Sequence, residues 1–261
     1  MPSYTTLLYE ERDNVLTITL NRPEVYNAIN EMMKKELPDA LREAEKDRSV
    51  RCVVIRGAGD KAFCSGQDLK EHAVGKRSLK ESLEKSYNPM IRRIRTMEKP
   101  VIAMINGVAA GAGCSLALAC DMRIMSEGAK LIEVFIRIGL VPDSGSHWFL
   151  PRLVGMARAF EYAATGRDIS AAEAERVGLV NKVVPAGSLE AEVMTIAKSL
   201  AQGPTLSIGL IKRTLNKALF SDLDTILAYE AYIQEIASLT EDHKEGITSF
   251  LEKRPAKFRG A

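Results

Sequence analysis

A chain of 261 residues with 46% apolar residues can bury its own core, and a net charge of +2, from 36 basic and 34 acidic residues, gives no general attraction to nucleic acid or anionic membrane. No apolar run approaches the ~18 residues of a membrane-crossing helix, and the amino terminus has neither a signal nor a transit pattern, so a soluble cytoplasmic protein is expected. Cys52, Cys64, Cys114 and Cys120 lie in or beside apolar stretches without a paired zinc spacing, and His72, His147 and His243 lie far apart, so buried reduced thiols and no metal site are expected.

In chain order, residues 15–20 alternate Leu16, Ile18 and Leu20 against Thr17 and Thr19, the pattern of a strand with one buried face, and Asn21-Arg22-Pro23 stops it. A helix is expected from Asn30, with Met33, Leu37, Ala40, Leu41 and Ala44 on one face and Pro38 bending or shortening it. Residues 52–55 form a short buried strand. The stretch 61–69, KAFCSGQDL, follows as a glycine turn in which the amide of Gln67, just after Gly66, can face a ligand. Asp68 is read there as a cap rather than a catalytic acid. Leu79, Leu83, Tyr87, Met90, Ile91, Ile94 and Met97 make a helical core stripe interrupted by Pro89.

Residues 101–105 are a continuous apolar run of strand length, and Asn106 and Gly107 end it with turn chemistry. Gly111, Ala112 and Gly113 then open a helix of small and apolar residues that runs to Cys120. Free amides at such a helix start need a partner, and side chains this small let a ligand oxygen reach the backbone, so the turn is a candidate oxyanion hole. Small residues also allow a helix to pack closely on a sheet, and this stretch alone leaves both readings open. A dinucleotide loop does not fit: Leu116 stands where the third glycine belongs. Residues 122–125 form another strand. Strands alternating with helices indicate an α/β layered domain with much parallel pairing.

Asp143, in the turn 139–145 (GLVPDSG), is either a base or the cap of the helix that carries Trp148, Phe149 and Leu150. Ser170 and Glu173 match a capping box, Gly178 ends a short helix, and residues 179–184 read as a last strand. Beyond Ser188 the chain reads as helical, with starts near Ser188, Pro204, Ser221 and Asp242. The last two place Asp224 and Glu245 at the third helical position. The expected division is a core over 1–199 and a helical region over 200–261 whose apolar stripes need another surface. No internal repeat is visible.

Asn21-Arg22-Pro23 with Asn27-Ala28, the 62–69 stretch, Lys99-Pro100, Asn106-Gly107 with the small-residue helix, Cys120-Asp121, Gly139-Leu-Val-Pro142 and the tail 250–258 follow one another in an order that resembles the enoyl-CoA hydratase/isomerase, or crotonase, superfamily. The resemblance implies a ββα spiral core with a C-terminal helical trimerisation region. It implies that the amides of Gln67 and Ala112 form the oxyanion hole for an acyl-CoA thioester. CoA contacts are implied at Arg22, Val25, Tyr26, Ala28, Ser65, Gln67, Asp68, Leu69, Lys70 and Gly111, and at Lys253 in the tail. Coenzyme A would then be part of the substrate, with no separate cofactor, and the chain would assemble as a homotrimer or hexamer with no nucleic-acid or membrane partner.

Two departures from the family pattern redirect the chemistry. Hydratases of the family use two glutamates, and counting without gaps places Ser115 and Phe135 at those positions. Glu133 would share a face with Phe135 if that segment were extended, which could restore one acid but not both. Asp143 stands where the family's 1,2-epoxyphenylacetyl-CoA isomerases have their catalytic aspartate, and a related dehalogenase has a nucleophilic aspartate there. The expected activity is therefore an acyl-CoA isomerase, of the 1,2-epoxyphenylacetyl-CoA or the 3-enoyl to 2-enoyl type, with Asp143 as proton shuttle. The alternative is a hydratase using Asp143 with Glu133 or Asp68. A remote third reading is a non-catalytic binding protein on the same fold, because a few relatives bind RNA; the near-zero net charge and the absence of a Lys-rich stripe with interleaved aromatics oppose it.

Overall fold

The computed structural model describes residues 2–74 and 78–261. Residues 75–77, inside the segment 70–87 that the family resemblance makes a wall of the acyl pocket, lie outside the described part.

Strands β1 (Leu7–Arg12) and β2 (Val15–Leu20) form an antiparallel hairpin turned by Asp13 and Asn14, both at positive φ, the conformation that matches a two-residue turn to strand twist. Periodicity does not reveal β1, because four of its six residues, Tyr9-Glu-Glu-Arg12, alternate only between half-buried and exposed. Helix α1 (Met33–Lys46) buries the five expected residues and runs through Pro38 without ending.

From here the chain repeats one plan. A strand enters a long sheet, a three-residue strand enters a second sheet, and helical structure returns. The first turn uses β3 (Cys52–Gly57), β4 (Ala62–Cys64), α2 (Leu69–Val74), and α3 (Leu79–Ser82), which continues through a π-helical turn at Leu83–Tyr87 into α4 (Asn88–Thr96). The second uses β5 (Val101–Ile105), β6 (Val108–Ala110) and α5 (Ala112–Ala119). The third uses β7 (Met122–Ser126), β8 (Lys130–Ile132), a 3₁₀ turn at Val134–Ile138 and α6 (Ser146–Thr165), which breaks at Gly155. Then come β9 (Asp168–Ser170), α7 (Ala171–Arg176) and β10 (Lys182–Val184).

The long sheet has the order β1-β2-β3-β5-β7-β10 and the short one β4-β6-β8-β9. All pairings from β2 to β10 in the long sheet are parallel. Such a sheet is covered on both faces, which explains the unbroken apolar runs of β3 and β5. One face buries Leu16, Ile18, Ile55 and Ile105 against the helices, and the other buries Val54, Ile102 and Ile124 against α8 (Leu189–Gln202). The spiral is a repeat of structure without a repeat of sequence, because strands of three residues leave no periodic trace. The strand expected over 179–184 contracts to β10, since Leu179 and Val180 turn back to bond the Ala174 carbonyl.

Three further helices follow: α9 (Thr205–Ala218), α10 (Leu223–Ser238) and α11 (Glu241–Leu251). Their caps differ from the expected ones. Asp222 accepts from the Thr225 amide and Thr240 from the His243 amide, so α10 starts one residue later than expected and α11 about two earlier. Asp242 instead accepts from the amides of Arg259 and Gly260 and fastens the tail. The buried Lys212 ties α9 to the core through the carbonyls of Ile94 and Lys99 and an ion pair to Asp121 at 2.7 Å. A cleft of about 1120 Å³ opens among α9, α10 and α11, lined by Ile211, Leu215, Leu227, Ile247, Phe250 and Leu251. Phe250 is 83% exposed. No described helix is long and apolar enough to cross a membrane.

Candidate active site

Two glycine turns, from successive rungs of the spiral, meet. Gly66 lies at φ +94°, and a Cβ there would sit 2.8 Å from the Ala110 carbonyl oxygen and 3.3 Å from the Ala112 nitrogen. Gly113 is tighter: a Cβ would lie 2.1 Å from the Cys64 carbonyl oxygen. Only glycine permits either approach. Gly111, at φ +54°, turns the chain so that α5 begins at Ala112, whose amide is at the helix start and has no intrahelical acceptor. Among the described hydrogen bonds neither the Gln67 nor the Ala112 amide donates. Two bare donors therefore stand on adjoining backbones, one with the positive end of a helix behind it.

The 22–29 loop fastens onto the first turn. The Ile29 amide donates to the Gly66 carbonyl, the Asp68 amide to the Ile29 carbonyl and the Ser65 amide to the Tyr26 carbonyl. Arg22 donates to the Ala28 carbonyl at 2.7 Å and pairs with Asp68 at 2.9 Å. Asn27, buried at positive φ, donates from its side chain to the Ala58 and Ala62 carbonyls. These bonds bring Arg22, Val25, Tyr26, Ala28, Ser65, Gln67, Asp68 and Leu69 to one place, and the Gly111 turn adjoins them. Lys70 is exposed on α2. Lys253 sits at positive φ after α11, with no described hydrogen bond or ion pair to this loop or to either turn. Asp68 caps as expected, accepting from the Glu71 amide at 3.3 Å; its Arg22 pair adds a second structural duty. Burial raises its pKa, but the bonds from Arg22 and the Glu71 amide outweigh this and leave it lowered.

Tyr87, at the end of the π-helical turn, was legible only as core. Its hydroxyl donates to Gln67 Oε1 at 2.7 Å, and burial pushes its own pKa well up. The Asp143 charge adds to that rise.

Asp143 does not cap α6: the N-cap is Gly145, and the Asp143 carboxylate accepts from Ser144 Oγ at 2.8 Å. Its backbone carbonyl accepts from the Ser146 amide and from Ser115 Oγ, each at 3.0 Å. Burial raises its pKa, against the lowering effect of Ser144 and of His147. Ser115 lies on α5, so Asp143 is bonded to the helix that begins at the Ala112 amide.

The two departures are visible in space. Ser115 is wholly buried, and Phe135 packs toward Gly111, its ring 3.9 Å from where a Cβ would be. Glu133 does not share a face with Phe135 on an extended segment, because the chain enters the 3₁₀ turn immediately after it. Instead Glu133 is fully buried, with Oε1 3.0 Å from Ser146 Oγ and Oε2 unpartnered. Burial raises its pKa to about 7, with Ser146 and Cys114 opposing and the Asp143 charge adding to the rise. Nothing in the spacing of residues 115, 133 and 146 announces this cluster.

The similarity to known proteins extends over nearly the full chain. The family model described as Enoyl-CoA hydratase/isomerase matches residues 10–261. A 1,2-epoxyphenylacetyl-CoA isomerase of Escherichia coli is 41% identical, over 97% of this chain and 98% of its own. A probable enoyl-CoA hydratase of Rhodobacter capsulatus is 42% identical over 99% of each. The crystal structure of an enoyl-CoA hydratase from Bacillus anthracis superposes with a TM-score of 0.95 at 35% identity, covering 98% of this chain and all of that one. With its spiral of paired strands, its two abutting glycine turns and these relatives, the chain belongs to the enoyl-CoA hydratase/isomerase family.

Proposed function

We propose that the protein is an acyl-CoA isomerase, of the 1,2-epoxyphenylacetyl-CoA or 3-enoyl-CoA to 2-enoyl-CoA type. The thioester oxygen is held by the Gln67 and Ala112 amides, and Asp143 moves the proton. The observation that carries this reading is the carboxylate inventory: Asp143 is the half-buried acid bonded to α5, while serine and phenylalanine occupy the places of the two hydratase glutamates. Charge that develops on the thioester oxygen in the enolate is stabilised by fixed donors that need no reorganisation. The neighbouring carbon becomes acidic enough for one carboxylate to take its proton and return it two carbons along. Epoxide opening by the same base would pass through an enolate-stabilised intermediate.

Hydration would need a second acid to activate water. Asp68 is committed to Arg22 and the Glu71 amide, and Glu133 is enclosed on Ser146. Mass spectrometry of an acyl-CoA panel turned over in heavy water tests the choice. Isomerisation exchanges deuterium without gain of a water, whereas hydration adds one and would overturn the proposal. A protein that bound acyl-CoA and did neither would be a binding module.

We also propose a homotrimer or hexamer built through α9 to α11. Met156 and Phe160 on α6 are each 74% exposed, and the cleft among the last helices is lined by apolar side chains. A neighbour's tail would then be the source of the Lys253 contact to CoA, and the intracellular setting of its substrate makes the cytoplasm the proposed location. Light scattering is expected to give three or six chains at micromolar concentration; a stable monomer would refute the assembly.

A further inference from the structure

Three contacts run from Glu133 to the backbone of Asp143. Glu133 Oε1 lies 3.0 Å from Ser146 Oγ, Ser146 Oγ 2.8 Å from Ser115 Oγ, and Ser115 Oγ 3.0 Å from the Asp143 carbonyl oxygen. Each contact needs one hydrogen, and the two hydroxyls carry one each. A carbonyl cannot donate, so Ser115 gives its hydrogen to Asp143 and Ser146 gives its own to Ser115. The remaining hydrogen can come only from the Glu133 carboxyl. When Glu133 is ionised two hydrogens remain for three contacts: Ser146 donates to the carboxylate and no longer to Ser115, whose single hydrogen is then contested by the Asp143 carbonyl at 3.0 Å and Ser146 Oγ at 2.8 Å. Among the described residues the one further acceptor within reach of Ser115 is the Gly111 carbonyl at 3.3 Å, a poorer bond.

We propose that Glu133 is a positioning residue for Asp143: protonated, it commits the Ser115 hydrogen to the Asp143 carbonyl and so holds that backbone on α5, and ionised, it divides that hydrogen between Asp143 and Ser146 and weakens the tie to α5, the Ser146 amide bond remaining. The proposal rests on the reading of Asp143 as the base. A second observation favours the protonated form. Glu133 is wholly buried, with only the Ser146 hydroxyl and the weakly donating Cys114 thiol among the described residues to support a charge, so burial outweighs both and favours the neutral acid.

The surroundings fix where the change falls. From α5 the Cys114 thiol faces the carboxyl and is itself held neutral, its pKa pushed well up by burial and by Glu133. From the 143 loop comes the negative charge of Asp143, which is in turn faced by His147 and Tyr87. Arg123 acts on the Cys114 side, and no described cation forms an ion pair with Glu133. With burial the largest influence, Glu133 titrates at about 7. The two carboxyls thus divide the pH range: Asp143 has to be ionised to accept a proton, and Glu133 has to be protonated to hold it in place.

Infrared difference spectra of the intact protein test the relay without reference to turnover. Wild type minus Glu133→Gln is expected to show the carbonyl stretch of a protonated carboxylic acid that fades as pH rises through neutrality. In activity, kcat/KM of the wild type falls over the same range, and Glu133→Gln, whose amide donates to Ser146 at every pH, loses that fall. Should the Gln variant not fold, Ser115→Ala severs the relay with Glu133 in place, so the infrared band must stay and the alkaline fall must go. Absence of the band, or an alkaline fall that persists in whichever variant folds, overturns the proposal. Asp143→Asn at wild-type rate would instead remove the base assignment while leaving the infrared titration as it is.

Discussion

The two glycine turns present their amides by different means. The first, around Gly66, is tied by bonds from distant segments: the 22–29 loop along its backbone, Arg22 on Asp68, and Tyr87 on the Gln67 side chain. The second, around Gly111, has few such ties and is held by contact, with Gly113 against the Cys64 carbonyl and every residue of α5 buried. A donor positioned by several bonds tolerates the loss of one. A donor positioned by packing fails when a single atom is added, because a close-packed interior has no slack.

Breaking the second turn should therefore cost most. Ala112→Pro removes the donor itself, and turnover is expected to fall about 100- to 1,000-fold, the range for one lost oxyanion donor, in protein shown by circular dichroism to be folded. Full activity in the folded variant would remove Ala112 from the site. Asp143→Asn keeps the shape of the side chain and removes the base, so kcat should drop at least ~100-fold with acyl-CoA affinity little changed. The same residue predicts an acid limb. Its folded pKa is raised by burial, and since the ionised form is the working one, activity falls as pH drops through that raised value rather than at the ordinary carboxylate value.

Gly113→Ala sharpens the comparison through stability. The new methyl cannot fit beside the Cys64 carbonyl, and unfolding free energy should fall by ~1–3 kcal/mol, measured by urea titration. Tyr87→Phe does the least: it takes one hydrogen bond from Gln67 while the backbone ties remain, so about 1 kcal/mol of stability and a few-fold in kcat are expected. A Tyr87→Phe loss as large as that of Ala112→Pro would show that the first turn is no better braced than the second.

The same contrast separates what could be read from the chain and what could not. Residues 101–105, the α5 start, the α1 core face and the Ser170 cap on the Glu173 amide are local patterns, and they stand where periodicity and turn chemistry place them. The short strands β4, β6 and β8 are not legible, because three residues contain no period and their partners lie tens of residues away. The site divides likewise. Gln67 and Ala112 follow visible glycines, but Asp143 could be separated from a helix cap only by seeing Gly145 take that place. Tyr87 looked like one more apolar position on a stripe. The Glu133 cluster joins α5, the end of β8 and the start of α6, and Glu133 shares a face with Phe135 only on an extended segment, which the 3₁₀ turn rules out.

The strict sequence order of both sheets has a consequence for assembly of the site. From β2 onward each strand is laid beside one already present, so the spiral can grow vectorially, rung on rung, without waiting for a distant strand. The Gln67 donor belongs to the first rung, the Ala112 donor to the second and Asp143 to the third. On the proposed function, a chain stopped after α5 would already hold both donors and lack the base. If that proposal holds, the part of the site that would grip a thioester forms during folding before the part that would transform it, a sequence that pulse-labelled hydrogen exchange at the α5 and α6 amides would resolve.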